Sequence, residues 1–153
     1  MAGPVVLRGV DGVREAVGRH LGYSDWLEIT QERVNTFADA TGDHQWIHVD
    51  VEKAKAGPFG GPIAHGYLTL ALVIPLWGEI LEVEGVKMGV NYGLEKVRFP
   101  SPVPVGAKIR LNAKVAAVED VPGGVQATLD FTVEIDGVDK PACVARPVYR
   151  YYA

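Results

Sequence analysis

Hydrophobic and polar residues alternate along much of the C-terminal third of the chain. Every second residue is apolar in residues 108–115 and again in residues 125–135. A strict period of two predicts strands of an antiparallel sheet that buries one face. Residues 122–124 (Pro-Gly-Gly) and residues 136–137 (Asp-Gly) follow these segments. Because such pairs favour tight turns, the sequence predicts successive β-hairpins.

Two further segments have the composition of strands, at residues 86–99 and residues 143–152. In the first of them the apolar positions change phase near Gly93, which predicts a bulge or bend. A short extended piece is expected at residues 26–29. The predicted sheet is therefore long-stranded and antiparallel.

The first half of the chain has the spacing of helices. Between Thr30 and Gly42 the apolar positions recur every three to four residues. Thr30 is a favourable N-cap, and Gly42 suits the left-handed conformation that ends many helices. Shorter helices are expected at residues 11–22 and residues 51–57, and residues 57–62 are rich in Gly and Pro, which predicts a loop.

One long helix is predicted at residues 63–81. It is apolar on nearly every side between Gly66 and Trp77, which predicts burial on every side. Pro75 lies within it and predicts a kink. The long sheet remains to surround this helix, so we expect an α+β fold in which an antiparallel sheet wraps around one buried helix. No repeat or linker divides the sequence, and a single domain is expected over residues 1–153.

Composition and charge exclude several classes of partner. The 153 residues are 48% hydrophobic and 22% charged with a net charge of −4, which is typical of a globular protein. No cluster of Lys and Arg stands out, which argues against nucleic acid and anionic membranes. The uncharged helical stretch at residues 66–78 is too short to span a bilayer. Because Cys143 is the only cysteine and no secretory pattern is apparent, a cytoplasmic location is expected.

Asp43 and His48 are the residues best suited to acid–base chemistry. They lie five positions apart, directly after the predicted helix stop. On one helix this spacing would turn the two side chains about 140° apart, whereas an irregular loop can bring both to one water molecule. A neutral histidine can take a proton near neutral pH while a carboxylate orients the same water. An Asp after a helix-ending Gly is also a common turn former, so the spacing alone leaves both interpretations open.

A metal site is a weaker alternative on the same residues. His44 and His65 can be added to the pair to give a set of possible ligands. The spacings are irregular and no paired cysteines accompany them, unlike the usual zinc patterns. We therefore expect no metal.

Three blocks of sequence carry a family resemblance. Residues 42–48 read Gly-Asp-His-Gln-Trp-Ile-His, residues 61–66 read Gly-Pro-Ile-Ala-His-Gly, and residues 97–103 read Val-Arg-Phe-Pro-Ser-Pro-Val. In this order they resemble the MaoC-like dehydratases, the (R)-specific enoyl-CoA hydratases, whose signature is commonly written Gly-Asp-x-Asn-Pro-Leu/Ile-His. The resemblance covers most of the chain. It implies the hot-dog fold, a long antiparallel sheet curled around one helix, in agreement with the pattern described above.

The resemblance implies a reaction and roles for three residues. The reaction is reversible syn hydration of a trans-2-enoyl-CoA to the (R)-3-hydroxyacyl-CoA, without metal or cofactor. Asp43 and His48 match the family's catalytic pair, which activates one water molecule; the division of proton transfers between them is left open. Gly66 matches the position whose backbone N–H stabilises the enolate oxygen. A helix N-terminus suits that role, since its unpaired N–H groups favour an anion.

Four further residues are candidates for lining the substrate site: Gln45, Trp46, Phe59 and His65. Gln45 and Trp46 stand where the common signature has Asn-Pro. Gln45 offers the same amide on a longer arm, whereas Trp46 lacks the fixed φ of proline. His65 has two alternative roles, as a hydrogen-bonding residue behind the site or as the first residue of a helix.

Two other functions stay open on the same fold. One is an acyl-CoA thioesterase, and the other is a non-catalytic acyl-binding or accessory subunit, because fold alone does not fix function. The presence of both Asp43 and His48 favours the hydratase. The resemblance also implies a homodimer, in which two domains join their sheet edges and remove an exposed edge. If the strand predicted at residues 86–99 lies at a sheet edge, a dimer would allow it to pair.

Overall fold

The computed structural model describes residues 3–153 as helices and strands joined by short loops. The strands are β1 (Val5–Arg8), β2 (His20–Tyr23), β3 (Leu27–Glu28), β4 (Leu81–Glu84), β5 (Met88–Arg98), β6 (Lys108–Val121), β7 (Gly124–Ile135) and β8 (Val138–Tyr152). The helices are α1 (Gly9–Glu15), α2 (Gln31–Thr41), α3 (Trp46–Val49), α4 (Val51–Lys55), α5 (Gly66–Ala71) and α6 (Val73–Ile80).

The main sheet is antiparallel, with strands in the order β2-β6-β7-β8-β5 and with β3 also paired to β6. The predicted hairpins are confirmed, because β6, β7 and β8 follow one another through turns at Gly123 (φ 82°) and Gly137 (φ 76°). Strand β5 lies at the edge of the sheet. Its register shifts between Asn91 and Gly93, which confirms the predicted bulge.

The alternating apolar residues of β6 and β7 form the core. Ile109, Leu111 and Val133 are completely buried on the inner face of the sheet. Trp77 of α6 packs against Phe131 of β7, with ring centroids 5.0 Å apart. The predicted α+β arrangement, a long antiparallel sheet curled around a central helical segment, is confirmed.

Helix α2 begins and ends where the sequence predicts. The Thr30 hydroxyl accepts a hydrogen bond from the Arg33 N–H (3.1 Å), which satisfies one of the free donors of the first turn. Gly42 adopts φ 82°, and its N–H donates to the Ala38 carbonyl (2.8 Å). This left-handed residue ends the helix and turns the chain toward Asp43.

One prediction for the N-terminal region is wrong in part, and one pairing of strands was not predicted. The helix expected at residues 11–22 ends at Glu15, and residues 20–23 form strand β2 instead. Gly18 (φ 80°) allows the turn between them, and Leu21 is buried where β2 pairs with β6. The parallel pairing of β1 with β4 was not predicted. It joins segments about 75 residues apart, and each strand has only four residues, too few to show a clear period.

The central helix differs from its prediction in two respects. It begins at Gly66 rather than residue 63, because the Ala64 N–H donates to the Val103 carbonyl (2.8 Å) and holds the preceding segment extended. It is also interrupted at Leu72, between α5 and α6. Pro75 has no N–H to donate to the carbonyl four residues earlier, which accounts for a break at this point of the helix.

The central helix is not buried on every side. Tyr67 is 75% exposed and Ile74 is 49% exposed, although the sequence predicted burial all round. The sheet covers one side of α5 and α6 and leaves these apolar side chains open. Within residues 3–153, no helix combines the length and hydrophobicity needed to cross a membrane.

Candidate active site

Asp43 lies in the loop between α2 and α3, and His48 lies within α3. Asp43 is exposed in the loop that follows Gly42, and its Oδ1 accepts a long hydrogen bond from the Gln45 N–H (3.4 Å). The single-turn helix α3 then begins at Trp46 and carries His48 on its inner side, where only 6% of the residue is exposed. An irregular loop therefore joins the two residues, as the sequence predicts.

The imidazole of His48 is held in one orientation by the main chain. Its Nδ1 lies 2.7 Å from the carbonyl oxygen of Ile63. A carbonyl oxygen only accepts hydrogen bonds, so Nδ1 carries the proton, and Nε2 of the neutral ring is left as an acceptor. The Ile63 N–H donates to the Ile47 carbonyl (3.0 Å), which ties this extended segment to α3. His48 is therefore fixed in the tautomer that a general base requires.

His65 is buried directly behind this pair, with 2% of its surface exposed. Its ring stacks on that of His48 at a centroid distance of 3.9 Å and an angle of 24°, and Phe37 covers another side at 4.8 Å. Its Nε2 donates to the main-chain carbonyl of Asp43 (3.0 Å). His65 thus contacts both candidate catalytic residues, one through its ring and the other through a hydrogen bond.

The three side chains form a compact cluster. One carboxylate oxygen of Asp43 and one ring nitrogen each of His48 and His65 lie within 4.8 Å of one another. The two imidazole rings are stacked nearly parallel, and the lone pair of each ring nitrogen lies in the plane of its ring. These lone pairs do not converge on one point as tetrahedral zinc requires. The cluster suits a shared water molecule better than a metal ion.

His44, the other residue of the possible metal set, is engaged elsewhere. Its Nε2 lies 3.0 Å from Oδ1 of Asp39 on the surface of α2. The hydrogen bond to Asp39 raises the pKa of His44 above its ordinary value, and the charge of Asp39 adds to this effect. His44 therefore does not join His48 and His65 in the cluster.

A cleft of about 370 Å³ lies next to His48. Gly66 lines it at the N-terminus of α5, where no side chain caps the helix. A Cβ at this position would lie 3.3 Å from the ring of Phe99, which also lines the cleft. Glycine thus leaves room beside the free N–H groups of the first helical turn.

The predicted lining residues occupy different places. Phe59 lines the cleft and is 48% exposed. Gln45 is exposed on the loop, and Trp46 packs against Gly57, where a Cβ would lie only 2.8 Å from its ring. His65 lies behind His48 rather than along the cleft. Of these four predicted residues, only Phe59 lines the cleft.

Two polar residues of the cleft were not singled out from the sequence. Thr69 is 2% exposed and lies one helical turn after Gly66, and Ser101 follows the end of β5. The (i, i+3) spacing from Gly66 was a usable signal for Thr69, because such residues share one helix face. Ser101 lies in the third block of the family resemblance, at residues 97–103.

A second, apolar cleft of about 310 Å³ lies on the other side of α5. Burial raises the pKa of the Tyr149 phenol to about 12, so this side chain stays uncharged near neutral pH. Asn91 contributes the only side-chain amide among the lining residues. The principal apolar lining residues are Tyr67, Leu70, Ile74, Leu94, Phe131 and Tyr149.

The long antiparallel sheet curled around a helix defines a hot-dog protein, in which Asp43 and His48 lie near the N-terminus of α5. Residues 13–134 match the family model described as a MaoC like domain. The chain therefore belongs to the MaoC-like dehydratase family, an enzyme family, as the sequence resemblance implied.

Relatives with known names share most of the chain. It is 59% identical over 139 residues to 3-hydroxyacyl-thioester dehydratase Z of Mycobacterium tuberculosis, covering 90% of this chain and 92% of the relative. It is 43% identical over 136 residues to nodulation protein N of Rhizobium meliloti, covering 87% and 84%. The solved structure of the (R)-hydratase from A. caviae involved in PHA biosynthesis superposes with a TM-score of 0.73 at 26% identity, covering 87% of this chain and 94% of the other.

Proposed function

We propose that this protein is an (R)-specific enoyl-CoA hydratase, which adds water reversibly to a trans-2-enoyl-CoA. The observation that carries the proposal is the Asp43 carboxylate within 4.8 Å of the His48 imidazole, beside a cleft. Its 59% identity to a 3-hydroxyacyl-thioester dehydratase supports the same substrate class. A 3-hydroxyacyl thioester and its enoyl partner are the two sides of one reversible reaction.

In the proposed mechanism, Asp43 and His48 hold one water molecule. Nε2 of neutral His48 takes a proton from this water while its oxygen forms a bond to C3 of the enoyl group. The C2–C3 double bond becomes an enolate, and the imidazolium then returns the proton to C2. Both additions occur from the side of His48, so the hydration is syn and the histidine ends in its starting state. Asp43, as a carboxylate, orients the water and stabilises the transient imidazolium.

Gly66 is proposed as the donor to the developing enolate oxygen. The free N–H groups at the start of α5 and the absence of a side-chain cap support this role. The lack of a Cβ lets the thioester approach the main chain, since the space next to Gly66 is already limited by Phe99. Stabilisation of this charge lowers the barrier to water addition in both directions.

The apolar cleft is proposed to hold the acyl chain of longer substrates. It lies across α5 from the cleft beside His48, and none of its lining residues has a charged side chain. Phe59 and Trp46 then lie near the thioester end of the substrate rather than along the chain. CoA enters only as part of the substrate, and the proposed reaction uses no cofactor or metal.

A cytoplasmic location is part of the proposal. Cys143 is a free, buried thiol, and burial raises its pKa to about 11, so it remains an unreactive thiol. A lone structural cysteine of this kind suits a reducing compartment.

Product analysis with the wild-type protein tests the proposed reaction. Crotonyl-CoA is incubated with the protein, and the products are separated by chiral chromatography while released thiol is assayed in parallel. The proposal expects loss of enoyl absorbance and formation of (R)-3-hydroxybutyryl-CoA without free CoA. Free CoA would instead identify a thioesterase, and an (S) product would reject the stereochemistry. A folded protein that leaves enoyl-CoA of short and medium chain length unchanged would overturn the proposal.

We also propose that the protein is a homodimer joined through β5. This strand is the sheet edge and exposes the apolar side chains of Met88, Tyr92 and Leu94. Tyr67 and Ile74 extend the exposed apolar surface onto the central helix. Pairing of two copies would cover this surface and satisfy the free backbone groups of the edge.

Sedimentation velocity at micromolar concentration tests the dimer. The wild-type chain is expected to sediment as a dimer, and Leu94→Glu is expected to shift it toward the monomer because a charge would be buried at the interface. Val138→Glu is the matched control, since Val138 is similarly exposed at 44% but lies on the hairpin between β7 and β8. A wild-type monomer would contradict the proposal.

A further inference from the structure

Two partly buried hydrogen bonds reach the candidate catalytic residues from outside their loop. The Nε2 of His65 donates to the main-chain carbonyl of Asp43 (3.0 Å). The Nε2 of Gln31 donates to the main-chain carbonyl of His48 (2.8 Å). Each member of the pair is therefore held at its backbone by a side chain from a different element, α2 for Gln31 and the segment before α5 for His65.

We propose that Gln31 and His65 are positioning residues, which hold the backbones of His48 and Asp43 at the separation that water activation requires. This inference rests on the proposed hydratase function. It assigns His65 a role behind the site rather than along the substrate, and it adds Gln31, to which no role had been given.

The hydrogen bonding of His65 favours this role over simple packing. Because the Asp43 carbonyl can only accept, Nε2 of His65 must carry the ring proton, and Nδ1 is then a bare acceptor. Nδ1 is buried without a hydrogen-bond partner. Burying an unpaired acceptor destabilises the fold, and an apolar residue of similar size would avoid that cost. The bond to Asp43 and the stacking on His48 are what the histidine provides in return.

Gln31 shows the same pattern. Its Nε2 donates both to the His48 carbonyl and to Oδ1 of Asn35 (2.9 Å). Its Oε1 is buried without a partner. Because both partners are acceptors, the Nε2 end of the Gln31 amide must face His48. The unpaired Oε1 indicates, as for His65, that the donor is the group for which the residue is needed.

The loop itself provides little to hold the pair. Its own hydrogen bonds near Asp43 are long, 3.4 Å from the Gln45 N–H and 3.5 Å to the Thr41 hydroxyl. Trp46 stands where the common signature has proline, so the backbone lacks that rigid φ. Helix α3 has only four residues. External donors can supply the rigidity that the local sequence lacks, and a displacement of about 1 Å can cost about 10²-fold in rate.

Three variants of His65 separate the effect of its Nε2–H donor from the effect of its side-chain volume. His65→Gln places an amide nitrogen where Nε2 lies, whereas His65→Asn places it nearer the position of Nδ1. His65→Leu removes the Nε2–H donor at similar volume. We expect kcat to fall about 10-fold or more in the Asn and Leu variants and to be largely retained in the Gln variant. KM is expected to stay within about 3-fold of the wild-type value in all three. Equal kcat in the Gln and Asn variants would overturn the role of the bond to Asp43.

Asn35, which accepts the other hydrogen bond of the Gln31 amide, provides a matched control for Gln31. Gln31→Met keeps the length of the side chain and removes the donor to His48, and about a 10-fold loss in kcat is expected. Asn35→Ala removes only the other acceptor of the same amide and is expected to retain wild-type kcat. Thermal unfolding is recorded for each variant. Wild-type kcat in a folded Gln31→Met protein, or an equal loss in Asn35→Ala, would reject the role of Gln31.

A measurement without substrate tests the geometry itself. In ¹⁵N spectra of the imidazole side chains at neutral pH, Nε2 of His65 is expected to be protonated and Nδ1 to be bare. If Nδ1 carries the proton, Nε2 cannot donate to Asp43 and the inference fails, whatever the activity. Conversely, a wild-type protein with the expected spectrum but no hydratase activity would reject the proposed function while leaving the backbone contacts established.

Discussion

The two clefts that flank α5 differ in what they offer a substrate. The first contains His48, Thr69 and Ser101 and opens beside the N-terminus of the helix. The second is lined by aliphatic and aromatic side chains and reaches Phe131 and Tyr149 on the sheet. The first has a histidine that can exchange a proton, whereas the second offers mainly apolar contact.

One helix separates the two environments. Gly66 and Thr69 face the first cleft, and Tyr67 and Leu70 face the second. Within each pair the residues are three positions apart, which places them on one side of a helix. Under the proposed function, α5 would separate the site of the reaction from the site that selects the acyl chain. Substitutions that face the first cleft should then lower kcat/KM, whereas substitutions that face the second should change the preference for acyl chain length.

The largest effect is expected from the acid–base pair. Asp43→Asn and His48→Gln should each lower kcat/KM for hydration by about 10²-fold or more. The amide of Gln cannot take a proton from water, and the amide of Asn has no charge to stabilise the imidazolium. The kcat/KM for dehydration of the (R)-3-hydroxyacyl-CoA should fall by the same factor, because a catalyst cannot change the equilibrium. Both rates are measured from the enoyl absorbance. A variant that keeps the wild-type kcat/KM would contradict the assignment.

A smaller effect is expected when the first cleft is filled from the helix. Gly66→Val should lower kcat/KM by about 10-fold or more, because the side chain would meet Phe99 and block approach to the helix N-terminus. Gly78→Ala is the control, since a Cβ there meets nothing within 4 Å. It should retain activity and stabilise α6 by up to about 1 kcal/mol. Loss of activity in both variants would point to a general effect on the helix.

Substitutions in the second cleft should change chain-length preference rather than chemistry. Ile74→Trp should lower kcat/KM for octenoyl-CoA relative to crotonyl-CoA by about 10-fold, because the larger ring would fill the cleft and exclude methylene groups of the longer chain. The burial of one methylene group in an apolar pocket is worth about 1–3 kcal/mol. Ile74→Ala should shift the ratio the other way. Rates are compared at subsaturating substrate. If both variants change the two substrates equally, the apolar cleft does not hold the acyl chain.

The smallest effect concerns stability at alkaline pH. The Tyr149 phenol has its pKa raised by burial from 10.0 to about 12. The unfolded chain therefore loses this proton first, so stability is present below pH 10 and is lost as pH rises toward 12. Tyr149→Phe should reduce the fall in melting temperature between pH 9 and pH 11, whereas Tyr67→Phe, which removes an exposed hydroxyl, should not. An unchanged fall in Tyr149→Phe would show that other groups control alkaline unfolding.

Local signals predicted most of the fold. The cap at Thr30, the stop at Gly42 and the alternation along β6 and β7 depend on neighbouring residues, and each is confirmed. The wrong predictions lie where periodicity is ambiguous, in the helix expected through residue 22 and in the central helix expected to be buried all round. Hydrophobicity shows that a residue avoids water; it does not show whether a sheet or another surface covers it.

The candidate site was predictable in part. The sequence pointed to Asp43, His48 and Gly66, because their spacing and family blocks lie within one stretch of chain. It did not predict the stacking of His65 on His48 or the bond from Gln31, which join residues 17 positions apart in each case. Such contacts depend on how separate elements pack, and no local period records them.

The sequence by itself determined which groups are available: one loop-borne carboxylate and imidazole, a glycine at a helix start, and strands that bury one face. Only the tertiary structure decided the tautomer of His48, through the Ile63 carbonyl, and the exposure of Tyr67 and Ile74. The physical reason is that composition and period fix local conformation and burial, whereas proton positions and open surfaces depend on distant partners brought into contact by folding.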